Sequence, residues 1–183
     1  MGYKIAMKTF WIAVLLMTSQ VALAQEWTTD TATVHFRIRN AGIAVKGTFD
    51  SVSLSLKRNG NTWKETTLSG RVLAATIDTG FGLRDKHLRE GDYFGVETYP
   101  WIRMESTELK QTETGHLEGT FRLSIKEHTQ EIPLIFTLVE SRDTIILETE
   151  FEVDRRAFGL GGKSLILSDR VRVFVNAEFS NPR

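Results

Sequence analysis

The chain has 183 residues, 41% of them apolar and 25% charged, which suits a single folded globular domain and excludes disordered, collagenous and coiled-coil classes. Lysine plus arginine and aspartate plus glutamate both number 23, so no bulk charge draws the protein to nucleic acid or to an acidic membrane. Cysteine is absent, which excludes disulfides, thiolate nucleophiles, cysteine-ligated zinc, iron–sulfur clusters and a lipobox anchor.

Residues 1–24 carry a basic start at Lys4 and Lys8, a short apolar run from Phe10 to Met17, and the small-x-small site Ala22-Leu23-Ala24. This order is that of a secretory signal peptide. The run is shorter than the roughly 20 apolar residues a bilayer span needs. Met7 is a second candidate start. The expected organisation is a signal peptide over 1–24 and one domain over 25–183, with a mature chain beginning near Gln25 and slightly acidic. No other apolar stretch approaches spanning length, so the expected location is periplasmic or secreted.

From Trp27 onward the apolar period is two. Val34, Phe36 and Ile38 alternate with His35, Arg37 and Arg39, and Val52, Leu54 and Leu56 alternate with serines. Ile102 and Met104, then Leu117 to Ile125, Ile132 to Leu138, Ile145 to Val153, and Val171 to Val175 repeat the pattern. Successive strand side chains point to opposite faces, so each segment has one dry and one wet face, as in antiparallel sheets. Asn40-Ala41-Gly42, Asn59-Gly60-Asn61, Thr114-Gly115 and Ser141-Arg142-Asp143 mark turns, and Pro100 and Pro133 are placed at strand starts. Such strands need a shared interior. A closed barrel supplies it without leaving edges, and a two-sheet sandwich is the other solution.

The strand pattern breaks over Asp78–Tyr99. Arg84, Asp85, Lys86, His87, Arg89, Glu90 and Asp92 cluster there, with Phe81, Leu83, Leu88 and Phe94 as an irregular apolar side. This predicts a short helix over Leu83–Glu90 within an insert near residues 80–92. Long inserts on rigid scaffolds often carry function. Arg84, Asp85 and His87 are candidates for an acid–base group or for contacts to a ligand head group at a cavity mouth. The simpler reading is that they cap the helix and tie the insert down.

Other sites are less favoured. His35, His87, His116 and His128 form no HxH or HExxH pattern, so no metal site is expected. Ala157–Ser164 approximates a phosphate-binding loop, but strand-like Leu165-Ile166-Leu167 follows where a helix is required. It is expected to be a glycine-rich hairpin at the rim. No catalytic residue is assigned. The inward apolar faces supply either packed core or ligand contacts, and the candidates for the latter are Phe36, Ile38, Val45, Phe49, Leu54, Met104, Leu134, Phe136, Phe151, Val171 and Val173.

Trp27-x-x-Asp30 with Val34-x-Phe36-x-Ile38, Gly47-Thr48-Phe49, and Ile77-Asp78-Thr79-Gly80 followed by Arg84-Asp85-x-His87-Leu88 stand in order along the chain. Asp92-Tyr93-Phe94, Tyr99-Pro100, Gly119-Thr120-Phe121, Leu123-Ser124-Ile125-Lys126, Arg155-x-x-Phe158-Gly159 and Leu167-Ser168-Asp169-x-Val171 continue the series to about Glu178. Together these strings resemble the YceI-like, polyisoprenoid-binding periplasmic family. The chain departs from the family pattern at Ala32-Thr33, Glu127-His128 and Glu131. The resemblance implies an all-β, antiparallel lipocalin-like β-barrel of about eight strands. It would hold an isoprenoid, an isoprenoid quinone or a similar amphiphilic chain as carrier, store or sensor, with no other cofactor. The alternatives are an enzyme acting on a lipid or quinone through the Arg84–His87 insert, and a barrel filled by side chains that serves as an interaction module. The expected partner is a hydrophobic small molecule, with no nucleic acid. An exposed apolar surface around the insert would favour a homodimer.

Overall fold

Alternation over most of the chain becomes ten strands and one α-helix in the computed structural model, which describes residues 25–59, 62–113 and 116–180. The 1–24 segment, the Gly60-Asn61 and Thr114-Gly115 turn positions and Pro182 lie outside the described residues. The strands are β1 (Gln25–Asn40), β2 (Ile43–Phe49), β3 (Val52–Arg58), β4 (Thr66–Leu73), β5 (Ile77–Asp78), β6 (Trp101–Gln111), β7 (Leu117–Ile125), β8 (His128–Glu140), β9 (Thr144–Asp154) and β10 (Arg170–Ser180). Helix α1 spans Gly82–Arg89, between β5 and β6, one residue earlier at each end than its charge pattern suggested.

All pairings are antiparallel. β1, β3, β4, β6, β7, β8, β9 and β10 form a ring that closes where β10 pairs with β1, Thr28 opposite Ser180 and Arg37 opposite Arg172. The eight-stranded barrel is therefore the solution adopted, not the sandwich. Ala41 and Gly42 turn β1 into β2 with φ of 49° and 78°. Positive φ at both central residues is the hairpin geometry that follows the right-handed twist of strands. β2 and β3 then act as one interrupted strand. β2 pairs with β1 as far as Val34 opposite Phe49, and β3 resumes at Thr28 opposite Ser55. At the break the Thr29 hydroxyl accepts the Leu54 N–H at 3.1 Å, a side chain standing in for a missing ladder bond.

Two sequence expectations are corrected. Pro133 lies inside β8, not at its start. Proline has no N–H to give a ladder, and β8 pairs with β9 only from Phe136 onward. Leu165-Ile166-Leu167 is not a strand but part of an irregular rim segment, with a single bridge from Leu167 to Asn40.

The barrel has two unlike halves. One end is plugged by Trp27, Leu56, Leu68, Leu109, Leu117, Ile145, Leu147 and Phe179, of which Leu56, Ile145 and Phe179 have no exposed surface. The other end carries the β1–β2 hairpin, the 79–100 insert and the 155–169 connection. Among the described residues no helix is long and apolar enough to cross a membrane.

Candidate functional site: an apolar cavity beneath the insert

Between plug and rim lies a cavity of about 370 Å3. Ligand clefts typically measure about 300–1,000 Å3. All eleven apolar candidates named from the sequence line it. They arrive from seven strands because each strand of an antiparallel barrel sends alternate residues inward. Val34, Val72, Leu88, Phe94, Ile102, Leu123 and Leu160 also line it and were not among those candidates. Aromatic rings supply much of the wall. Phe36 and Phe49 stand 5.7 Å apart, and Phe94 of the insert meets Phe49 edge-on at 5.8 Å. The barrel is thus not filled along its whole length.

The insert forms part of the cavity roof. Thr79, Arg84, His87, Leu88, Tyr93 and Phe94 face the cavity, whereas Asp85 does not. Asp85 is buried, and its Oδ1 accepts the Thr79 N–H at 2.9 Å and the Thr79 hydroxyl. Arg84 Nε donates to the same hydroxyl at 2.6 Å, and its Nη2 to the Thr79 carbonyl at 2.8 Å. Asp85 and Arg84 therefore converge on Thr79 and fasten the start of α1 to the end of β5. Arg89 fastens the other end through the Ala75 and Ile77 carbonyls, both at 2.8 Å. His87 Nδ1 lies 3.0 Å from Glu90 Oε2, both side chains half in solvent, and its ring sits 5.1 Å from Tyr93. Asp85 and His87 thus point to different sides of the helix. Of the three candidate head-group residues, the structure brings Arg84 and His87 to the cavity and sends Asp85 to a tether.

The opposite side of the rim is organised by Arg155, whose side chain is only 3% exposed. Its Nε donates to Ser168 O at 2.9 Å. Nη1 donates to the carbonyls of Leu160, Gly161 and Gly162 at 2.8, 3.2 and 3.0 Å. Nη2 reaches the Asp169 carboxylate at 2.7 Å. The planar fork of a guanidinium suits such a set, since it presents five donors in one plane. The glycine-rich stretch is therefore no hairpin: it wraps around a buried cation. Gly159, in the left-handed region at φ 64°, starts the wrap. The string Arg155-x-x-Phe158-Gly159 does not by itself mark Arg155 for this part.

The two sides of the rim are joined. Gly161 N–H donates to Asp92 O at 2.7 Å, and Lys126 Nζ to Gly91 O at 2.9 Å. Near this joint the Tyr99 hydroxyl hydrogen-bonds Glu127. That bond, more than charge repulsion or burial, raises the phenol above its ordinary 10.0. Glu127 is held below its ordinary 4.5, chiefly by its own backbone N–H and, over a small opposing loss of hydration, by Tyr99. His128, beside it, lies 3.6 Å from Glu127 Oε1. Among the described residues no three histidine, aspartate or glutamate side chains are grouped to hold a metal ion.

A model of the YceI-like domain family matches residues 26–179. A UPF0312 protein of Photorhabdus laumondii is 34% identical over 102 residues, 53% of this chain and 53% of that protein, so the match spans about half of that curated relative. Among solved structures, BcnA of Burkholderia cenocepacia is similar with a TM-score of 0.75 at 18% identity, over 80% of this chain and 95% of that one. A polyisoprenoid binding domain from Saccharophagus degradans, implicated in plant cell wall breakdown, is similar with a TM-score of 0.68 at 12% identity, over 89% of this chain and all of that one. At these identities the likeness to solved structures shows the fold.

Proposed function

Because the chain belongs to the YceI-like domain family, we propose that it binds an isoprenoid or isoprenoid quinone in its barrel interior, as carrier, store or sensor and not as a catalyst. The observation that carries this reading is the apolar cavity between the plug and the insert. Its wall of phenylalanines, branched aliphatics and Met104 suits a flexible hydrocarbon chain without positional polar contacts. Burying ten methylene-sized units stabilises the complex by about 8 kcal/mol before the cost of association. The polyisoprenoid binding described for the Saccharophagus relative supports the choice of ligand class. A non-catalytic role is supported by the engagement of Asp85 with Thr79, which takes that carboxylate away from the cavity and from His87. Export to the periplasm or beyond, read from residues 1–24, is part of the same proposal.

The test is native mass spectrometry of detergent-free protein from its own cell envelope, followed by organic extraction. The expected result is a stoichiometric adduct that extracts as a prenyl chain. A clean unliganded mass, with no uptake of added prenols or isoprenoid quinones, would overturn the reading.

A further inference from the structure

The balanced charge of the whole chain conceals a local excess. Eight large apolar side chains stand exposed among the described residues, and five of them, Ile43, Phe81, Leu83, Leu165 and Ile166, are 55–99% exposed and belong to the cavity rim. Their segments form one connected ring. Ala41 N–H donates to Ile166 O at 2.7 Å and Ser168 N–H to Arg39 O at 2.8 Å, joining the β1–β2 hairpin to the Arg155-held segment. Thr48 pairs with Asp78, joining the other edge of that hairpin to the insert. The same ring carries Arg39, Lys46, Arg84, Lys86 and Lys163, none ion-paired with a carboxylate among the described residues. Over residues 39–46, 79–86 and 161–168, which carry the five apolar tips, the one acid is Asp85, buried and bonded to Thr79, and Asp78, Glu90, Asp92, Glu97 and Asp169 flank these stretches.

The remaining three exposed apolar residues, Ile135, Val139 and Ile146, lie on the outer face of β8 and β9. There Ile146 stands opposite Glu178, and Thr137 between the two β8 residues stands opposite Glu148. Apolar tips among unpaired cations fit an anionic lipid surface, whereas the same side chains among glutamates do not.

We propose that the barrel mouth docks on the surface of an anionic phospholipid bilayer, with Ile43, Phe81, Leu83, Leu165 and Ile166 entering the headgroup region and the rim cations meeting lipid phosphates. Docking would set the cavity entrance against the phase from which a hydrophobic molecule partitions. That purpose rests on the ligand reading, but the contact itself stands on the rim alone. Leu165 and Ile166 line no part of the cavity, so their removal leaves the ligand wall intact.

The experiment is flotation of the protein recovered from its cells with vesicles of phosphatidylcholine, alone or mixed with phosphatidylglycerol. Wild type is compared with L165S/I166S, K46E/K163E and, as control, I135S/V139S. Expected are binding to the anionic vesicles that weakens as salt rises, and loss of about tenfold or more in each rim variant with the control unchanged. Native mass spectrometry of the same samples reads ligand occupancy, and thermal melting reads the fold. Vesicle binding absent or equal in all four proteins overturns docking, even where ligand is retained. A concentration-dependent dimer abolished by L165S/I166S without vesicle binding also overturns it and assigns the rim to a second copy. Vesicle binding with the expected variant losses, from a protein that never holds a prenyl ligand, sustains docking and refutes the ligand reading alone.

Discussion

Replacing Arg155 by alanine removes a buried cation that holds five carbonyl groups and one carboxylate around the rim. The Asp169 carboxylate is 40% exposed and can turn to water, whereas the Leu160 carbonyl bond is buried and has no replacement. Leaving a buried acceptor without its donor costs about 1–3 kcal/mol. A domain of this size loses roughly 2–4 °C of melting temperature per kcal/mol, so the expected fall is roughly 2–12 °C. The lower end applies if residues 159–168 simply release into solvent, because local opening caps the cost. Amide hydrogen exchange separates the cases: local release speeds exchange in that segment and leaves β7–β9 protected. R155K keeps the charge near Asp169 but cannot span the carbonyl set, so it should fall between wild type and R155A. An R155A protein melting within about 2 °C of wild type, with exchange over 159–168 unchanged, would refute the assignment of the rim to this arginine.

Three further outcomes are expected. Phe179→Ala in the plug should cost about 3–5 kcal/mol by urea denaturation, whereas Phe36→Ala on the cavity wall should cost less than half of that and lower prenyl retention; equal losses would deny the division of the barrel. Gly47→Ala would set a Cβ 2.3 Å from the Phe36 ring and 2.9 Å from the Asp78 carbonyl, costing about 1–3 kcal/mol, with partial recovery when Phe36→Leu is added. Tyr99→Phe should raise the Glu127 pKa toward 4.5 in an NMR titration. In wild type, the depressed carboxyl contributes stability above that value and loses it as pH falls. The raised Tyr99 contributes below 10.0 and loses it as pH rises.

Strand content and the inward set were legible because alternation survives in any antiparallel barrel. Parity gives a residue's face but not its depth along the barrel axis. Leu54 and Leu56 share type, strand and face, yet one lines the cavity and the other is sealed in the plug. Depth follows from register and from the break at Asp50-Ser51, which turns on the Thr29 hydroxyl. The Arg155 clasp was hidden for another reason. Its partners are mostly backbone carbonyls, which every residue owns, so glycine content alone suggested a hairpin. The separation of Asp85 from His87 was legible, because residues two apart on a helix point to different faces, but that one becomes a buried tether and the other a half-exposed side chain was not.

The barrel closes by pairing its first strand with its last. Until Arg170–Ser180 has been made and released, β1 has no β10 beside it, and β9 presents an unpaired edge. Contacts between chain ends are slow to form, because the loop they close spans nearly the whole domain. The growing chain therefore stays open and adhesive for its entire synthesis, and open edges invite pairing with other chains. Loss of even the last strand would leave two such edges rather than a shortened barrel. Closure of the barrel therefore waits on its final strand.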